Sequence, residues 1–134
     1  MPGMTNVLLN HLRDHLFRSA TFTKPTTLYF ALFTTAPTAA GGGVEVSGSG
    51  YARVAAPVND GFFSGDTVGE AENLAVITFP APTGDWGSVV ALGIMSAAVD
   101  GEMYLYDDEL LGKVISDGDD APSFPIGNFN FSIT

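Results

Sequence analysis

The chain has 134 residues, a formal net charge of −10, no cysteine and 46% hydrophobic residues. Its length fits one domain with a buried core, and the lack of cysteine excludes disulfides and thiolate metal sites. The hydrophobic fraction disfavours intrinsic disorder, and no apolar run approaches the length of a membrane-spanning helix.

The charges are unevenly distributed along the sequence. Residues 1–24 carry three basic residues against one acidic residue, a net charge of +2. Residues 25–134 carry two basic residues against fourteen acidic residues, a net charge of −12. Because an acidic surface repels phosphate, neither nucleic acid nor a membrane is an expected partner. The first residues show no basic segment followed by an apolar one, so no signal peptide is expected.

Residues 5–18 are predicted to form the one amphipathic helix of the chain. Leu8, Leu12 and Leu16 recur at i, i+4 and i+8 and therefore share an apolar stripe. We predict that residues 1–24, the helix and its connector, form an attachment or oligomer contact. The candidate interface residues are Leu8, Leu12, Arg13, Leu16, Phe17 and Arg18.

Short strands are predicted from residue 26 onward. Residues 26–35 are apolar on both faces, which predicts a central strand or one exposed to a partner. Pro57 within residues 51–58 predicts an edge strand or a strand end. The alternation in residues 128–134, NFNFSIT, predicts a half-buried strand. Further strands are predicted at residues 74–79, 88–96, 102–106 and 113–116.

The order of these elements indicates the fold class. About seven short strands without alternating helices predict a mainly β protein. We predict an antiparallel β-sandwich over residues 25–134, preceded by the N-terminal amphipathic helix.

Side chains that could support catalysis are scarce. The only two histidines, His11 and His15, lie four residues apart, a spacing that can bind a metal ion. However, Leu12 occupies the position where a zinc protease motif requires glutamate, and no third ligand is evident. No later histidine can complete a Ser-His-Asp arrangement. The sequence therefore predicts no enzyme activity, no catalytic residue, no metal and no cofactor.

Two acidic clusters leave calcium as an open alternative. Residues 107–109 and 117–120 contain the carboxylates that calcium prefers. Neither cluster matches the twelve-residue calcium loop, and the Asp-Gly pair in the second is typical of an ordinary hairpin turn.

Three aromatic residues allow a different interpretation of the chain. Trp86, Tyr104 and Tyr106 could form a stacking surface for a sugar, although such residues are equally typical of a sandwich core. The alternative function is therefore a carbohydrate-binding β-sandwich module for host-surface recognition.

Arg53 is one of only two basic residues after Lys24. In so acidic a segment, we expect its guanidinium group to form a structural ion pair with a carboxylate across the sheet.

Several segments resemble one known family. They include LFTTAPT at residues 32–38, GYAR at residues 50–53 and ITFPA at residues 77–81. Over almost its whole length the chain is similar to small structural proteins of tailed bacteriophages, often labelled phage tail fibre proteins.

The resemblance implies a non-enzymatic virion protein that is made in the host cytoplasm. Its expected partners are other virion proteins of the capsid or tail. We also expect a homo-oligomer, with a trimer favoured, because virion proteins assemble through repeated symmetric contacts. Two placements stay open: a capsid decoration or cement protein, and a tail-fibre-associated component.

Overall fold

In the computed structural model, residues 3–108 and 112–132 are described, and antiparallel strands dominate this part of the chain. The predicted mainly β fold with one N-terminal helix is confirmed. Twelve strands are described where about seven were predicted, in part because four of them are only two residues long and give no periodic pattern. The elements are β1 (Gly3–Met4), α1 (Asn6–Phe17), β2 (Thr27–Thr35), β3 (Val44–Glu45), β4 (Val54–Pro57), β5 (Glu70–Glu72), β6 (Ile77–Thr78), β7 (Gly87–Val89), β8 (Ala91–Met95), β9 (Met103–Asp107), β10 (Lys113–Ile115), β11 (Ser123–Phe124) and β12 (Asn130–Ser132).

Six strands form the main sheet, in the order β1-β9-β8-β2-β3, with β4 also paired to β2. The central position predicted for β2 is confirmed, since this strand pairs with β8, β3 and β4. Among the described strands, β4 pairs only with β2 and ends at Pro57, which has no N–H to donate. It is therefore the edge strand that the proline predicted.

The remaining strands form three two-stranded sheets, β10-β7, β11-β6 and β12-β5. One face of the main sheet and these small sheets share the largest buried cluster. The predicted single strand over residues 88–96 is wrong, because the chain changes partner within it. Gly87–Val89 pairs with β10, whereas Ala91–Met95 pairs with β2. Side chains of the cluster include Phe30, Leu32, Ile77, Phe79, Leu92, Ile94, Phe129 and Phe131.

The helix is held on the main sheet by its first half. The Thr5 side chain caps it by accepting the Leu8 N–H at 3.4 Å, and the Thr5 hydroxyl donates to the Met103 carbonyl at 2.6 Å. Leu8 is buried against Met4 and Tyr104. The predicted apolar stripe is buried only at its start, because Leu16 at its end is 69% exposed. No helix in the described ranges is long and apolar enough to span a membrane.

Candidate functional site

The C-terminal half of α1 presents apolar and basic side chains together. Leu16 is 69% exposed and Phe17 is 82% exposed, although Phe17 is one of the largest apolar side chains. Arg13 and Arg18 flank them, and both guanidinium groups lie near one Asp14 oxygen, at 2.8 and 3.7 Å. We call Arg13, Leu16, Phe17 and Arg18 the helix end. An exposed aromatic ring beside basic groups is typical of a contact surface.

The other two candidate interface residues have a different environment. Leu8 is buried, and Leu12 is half-buried against the same cluster of α1 and the main sheet. These two side chains therefore hold the helix on its own subunit. Of the six candidate interface residues, the four of the helix end are the exposed ones.

A groove of about 430 Å³ lies near the start of α1. Its walls come from the first turn of the helix, the loop between β2 and β3, and the turn between β8 and β9. We call this the groove. Its lining includes the side chains of Val7, Phe33, Glu45, Met95, Glu102 and Met103.

Local backbone geometry fixes the groove wall formed by the β2–β3 loop. Gly41, Gly42 and Gly43 all have positive φ angles, of 91°, 78° and 78°. A Cβ atom at Gly43 would lie 2.7 Å from the Thr35 carbonyl oxygen, so only glycine fits there. The Asn6 N–H donates to the Ala39 carbonyl at 2.7 Å and ties the loop to the start of α1.

Arg53 connects β3 to the turn between β8 and β9. Its Nε and Nη2 donate to the two carboxylate oxygens of Glu45 at 2.9 and 2.8 Å. Its Nη1 donates to the carbonyls of Ala97 and Asp100 at 2.6 and 2.8 Å. The Arg53 side chain is only 7% exposed. These bonds engage the guanidinium nitrogens on both sides of the group, toward Glu45 and toward the turn between β8 and β9. The role of Arg53 is therefore structural.

Tyr51 completes this group, which we call the Arg53 network: Glu45, Tyr51 and Arg53. The Tyr51 hydroxyl donates to Glu45 at 2.6 Å and accepts the Leu32 N–H at 3.0 Å. Burial, together with the bond to Glu45, raises the pKa of Tyr51. For Glu45, burial alone would raise the pKa, but hydrogen bonds from Arg53 and Tyr51 outweigh it and hold the pKa below its ordinary value.

The lowered pKa of Glu45 predicts a loss of stability in acid. Its contribution is fully present above the ordinary pKa of 4.5 and is lost as the pH falls through the lower pKa of the folded state. We therefore expect the stability difference between the wild type and Glu45→Gln to shrink between about pH 5 and pH 2. Urea unfolding followed by circular dichroism across this range measures it. A difference that does not change with pH would contradict the assignment.

The three candidate sugar-contact residues lie in different environments. Trp86 is 6% exposed, and its indole N–H donates to the Ser49 carbonyl at 2.9 Å. Tyr104 is 8% exposed and packs in the cluster under α1, whereas Tyr106 is half-buried on β9. Stacking on a sugar requires accessible ring faces. These side chains share no exposed face, so they give the carbohydrate alternative no stacking surface.

The candidate metal ligands are occupied by local contacts. His11 Nε2 lies 3.2 Å from Glu102, and His15 Nδ1 accepts the Phe22 N–H at 3.1 Å. In the second acidic cluster, Asp119 accepts the Ser116 N–H at 2.8 Å, as in an ordinary turn. Residues 3–108 and 112–132 contain no group of three metal-ligating side chains, and Glu109 of the first acidic cluster lies outside them.

Comparison with protein families identifies a family whose model matches nearly the whole chain. The family model Gp80, described as podophage GP4 fiber I protein gp80, matches residues 3–132. A search of curated proteins finds no match to this chain. The family match includes both the helix end and the groove.

Proposed function

Because this chain belongs to the Gp80 family of podophage GP4 fiber I proteins, we propose that it is a tail-fibre-associated subunit that assembles through its helix end. The predicted resemblance to phage tail fibre proteins is confirmed, and the family is one of structural virion components. The proposal includes a non-enzymatic role and synthesis in the host cytoplasm, which a chain without cysteine suits.

The exposure of Phe17 carries the proposal. A ring that is 82% exposed keeps apolar surface in water, and covering it with a partner is favourable. Leu16 extends the same apolar surface along the helix. A contact made by these side chains therefore gives the subunit an anchor of the kind that dominates protein interfaces.

The charge distribution favours a second copy of the chain as one such partner. Residues 1–24 carry a net charge of +2, whereas residues 25–134 carry −12, from two basic and fourteen acidic residues. Arg13 and Arg18 of one subunit would thus be attracted to the acidic body of the next. Repeating one such contact closes a ring when the rotation between subunits allows it. We propose a homo-oligomer of this kind, with a trimer favoured.

The family description favours a position on the tail over one on the capsid, since it names a fibre protein. A capsid decoration or cement protein would also contact other virion proteins through an exposed apolar surface. The two placements differ in where the protein is found on the particle, so imaging distinguishes them.

The experiment uses phage that carry Phe17→Glu in this chain. We expect the wild-type chain to co-purify with virions, and an antibody label on it to mark the tail in electron micrographs. The variant should be soluble and folded but largely missing from purified virions. Val68→Glu is the matched control, because Val68 is 99% exposed and lies outside the helix end.

Two results would contradict the proposal in different ways. A label spread over the capsid would contradict the tail placement. Normal incorporation of Phe17→Glu would show that the helix end is not the attachment surface. A deletion of residues 1–18 is less informative, because it also removes Met4 and Leu8 from the buried cluster under α1.

A further inference from the structure

We propose that the groove receives the helix end of a second copy of the chain, with Phe17 as the inserted side chain. This inference rests on the proposed function, because it names the partner surface for the same assembly. The two surfaces occur on every copy, at opposite ends of α1.

The groove is chemically suited to an aromatic side chain. Phe33 and Met95 are 3% and 7% exposed and form its floor, while Val7 is 37% exposed at the start of α1. Met103 contributes a further flexible thioether. Methionine side chains adapt their shape and make favourable contacts with aromatic rings. A volume of about 430 Å³ is within the range of pockets that accept a buried group.

The charges at the two surfaces are complementary. The accessible carboxylate of the groove is Glu102, whose side chain is 49% exposed, because the charge of Glu45 is already paired with Arg53. The helix end carries Arg13 and Arg18, whose pairs with Asp14 are exposed to solvent. Exposed ion pairs contribute little, so the two guanidinium groups can turn to a new carboxylate at small cost. Electrostatic attraction would then orient Phe17 toward the groove.

The geometry of α1 requires the helix end to come from another copy. Val7 and Phe17 lie on one continuous helix and are ten residues apart, which corresponds to about 15 Å along its axis. A subunit therefore cannot place its own Phe17 in its own groove. The contact is head-to-tail and uses different surfaces on the two subunits, as a ring of subunits requires.

The groove is formed before any partner binds. Arg53 holds Glu45 against the turn between β8 and β9, and Gly43 fixes the opposite loop at a backbone geometry that other residues do not fit. Binding therefore requires little ordering of the receiving surface.

A complementation experiment tests the head-to-tail contact. Phe17→Glu removes the inserted side chain, and Val7→Lys places a long cation at the groove, where it also repels Arg13 and Arg18. By light scattering we expect an oligomer for the wild type and monomers for each variant alone. Mixing the two variants should restore a one-to-one dimer, because one intact helix end then meets one intact groove. Val68→Glu should behave as the wild type.

The outcomes separate this inference from the proposed function. A wild-type chain that stays monomeric at high concentration contradicts self-assembly and this inference, whereas attachment of the helix end to other virion proteins is tested separately by the incorporation of Phe17→Glu into virions. If Phe17→Glu is monomeric but Val7→Lys still assembles, the helix end is the contact and the groove is not its receptor. A mixture that stays monomeric also overturns the groove assignment.

A cross-linking measurement applies where Val7→Lys fails to fold. The chain has no cysteine, so Ala20→Cys and Ala40→Cys each introduce a single thiol at an exposed position, near the helix end and the groove respectively. A short bismaleimide should join the two variants to each other when they are mixed. Cross-linking of Ala20→Cys only to itself would instead show that helix ends pair with each other.

Discussion

Replacing Phe129 with alanine is expected to lower the free energy of unfolding by about 4 kcal/mol. The ring is 1% exposed, and its centroid lies 5.4 Å from Phe30 of β2 and 4.9 Å from Phe124 of β11. These neighbours belong to separate sheets, so they cannot collapse together into the space that the ring leaves. Urea unfolding monitored by circular dichroism and tryptophan fluorescence measures the change.

Two further variants calibrate this result. Phe129→Leu keeps most of the apolar volume and should lose less than half as much stability. Val114→Ala is the surface control, because Val114 is 65% exposed on β10 and its truncation should cost less than about 0.5 kcal/mol. If Phe129→Ala cost no more than Val114→Ala, the segment that contains Phe129 would not be part of the core in solution.

Arg53→Met is expected to destabilise the fold by about 3 kcal/mol. The substitution leaves the half-buried Glu45 carboxylate without its bidentate partner and removes the donor for the Ala97 and Asp100 carbonyls. Methionine retains an apolar side chain of similar length, so the loss reports the polar contacts. The stabilities with and without Arg53→Met should be compared in a Phe17→Glu background, where assembly does not add to the measured stability.

Arg13→Met provides the matched control, since Arg13 is also ion-paired but its side chain is 57% exposed. Exposed pairs contribute between zero and about 1 kcal/mol, so this variant should change stability little. Equal losses for the two arginine variants would contradict the structural role of Arg53. Combining Arg53→Met with Glu45→Gln should recover part of the loss, because no unpaired charge then stays buried.

The sequence predicted those elements whose pattern extends over several residues. The aromatic and branched residues of β2, the proline of β4 and the alternation in β12 each predicted a correct position. Residues 133 and 134 of the last predicted strand lie outside the described residues. Strands of two residues, such as β1 and β11, contain too few positions to show any period. The break at Val90 was not predictable because the apolar run continues through it. Only the hydrogen-bond partners separate β7 from β8. At the change of partner, the Val90 N–H donates to the Phe33 carbonyl of β2.

The candidate surfaces were predictable to a smaller extent. Helical periodicity placed Leu16 and Leu8 on one stripe, but it does not show how far the sheet beneath the helix extends. Only the structure separates the buried Leu8 from the exposed Leu16. The isolation of Arg53 in an acidic segment suggested an acidic partner, yet the choice of Glu45 depends on the return of the chain through β3 and β4. The groove arises from three segments distant in sequence and has no local signal.

The edges of the main sheet have a consequence for how copies of this protein can contact one another. β1 and β3, at the ends of the sheet order, are two residues each, and β4 ends in a proline that cannot donate a hydrogen bond. Such edges offer a neighbouring chain almost no backbone to pair with. The main sheet is therefore poorly suited to edge-to-edge pairing into amyloid-like ribbons. Contacts between copies are then left to side-chain recognition, as in the proposed insertion of Phe17.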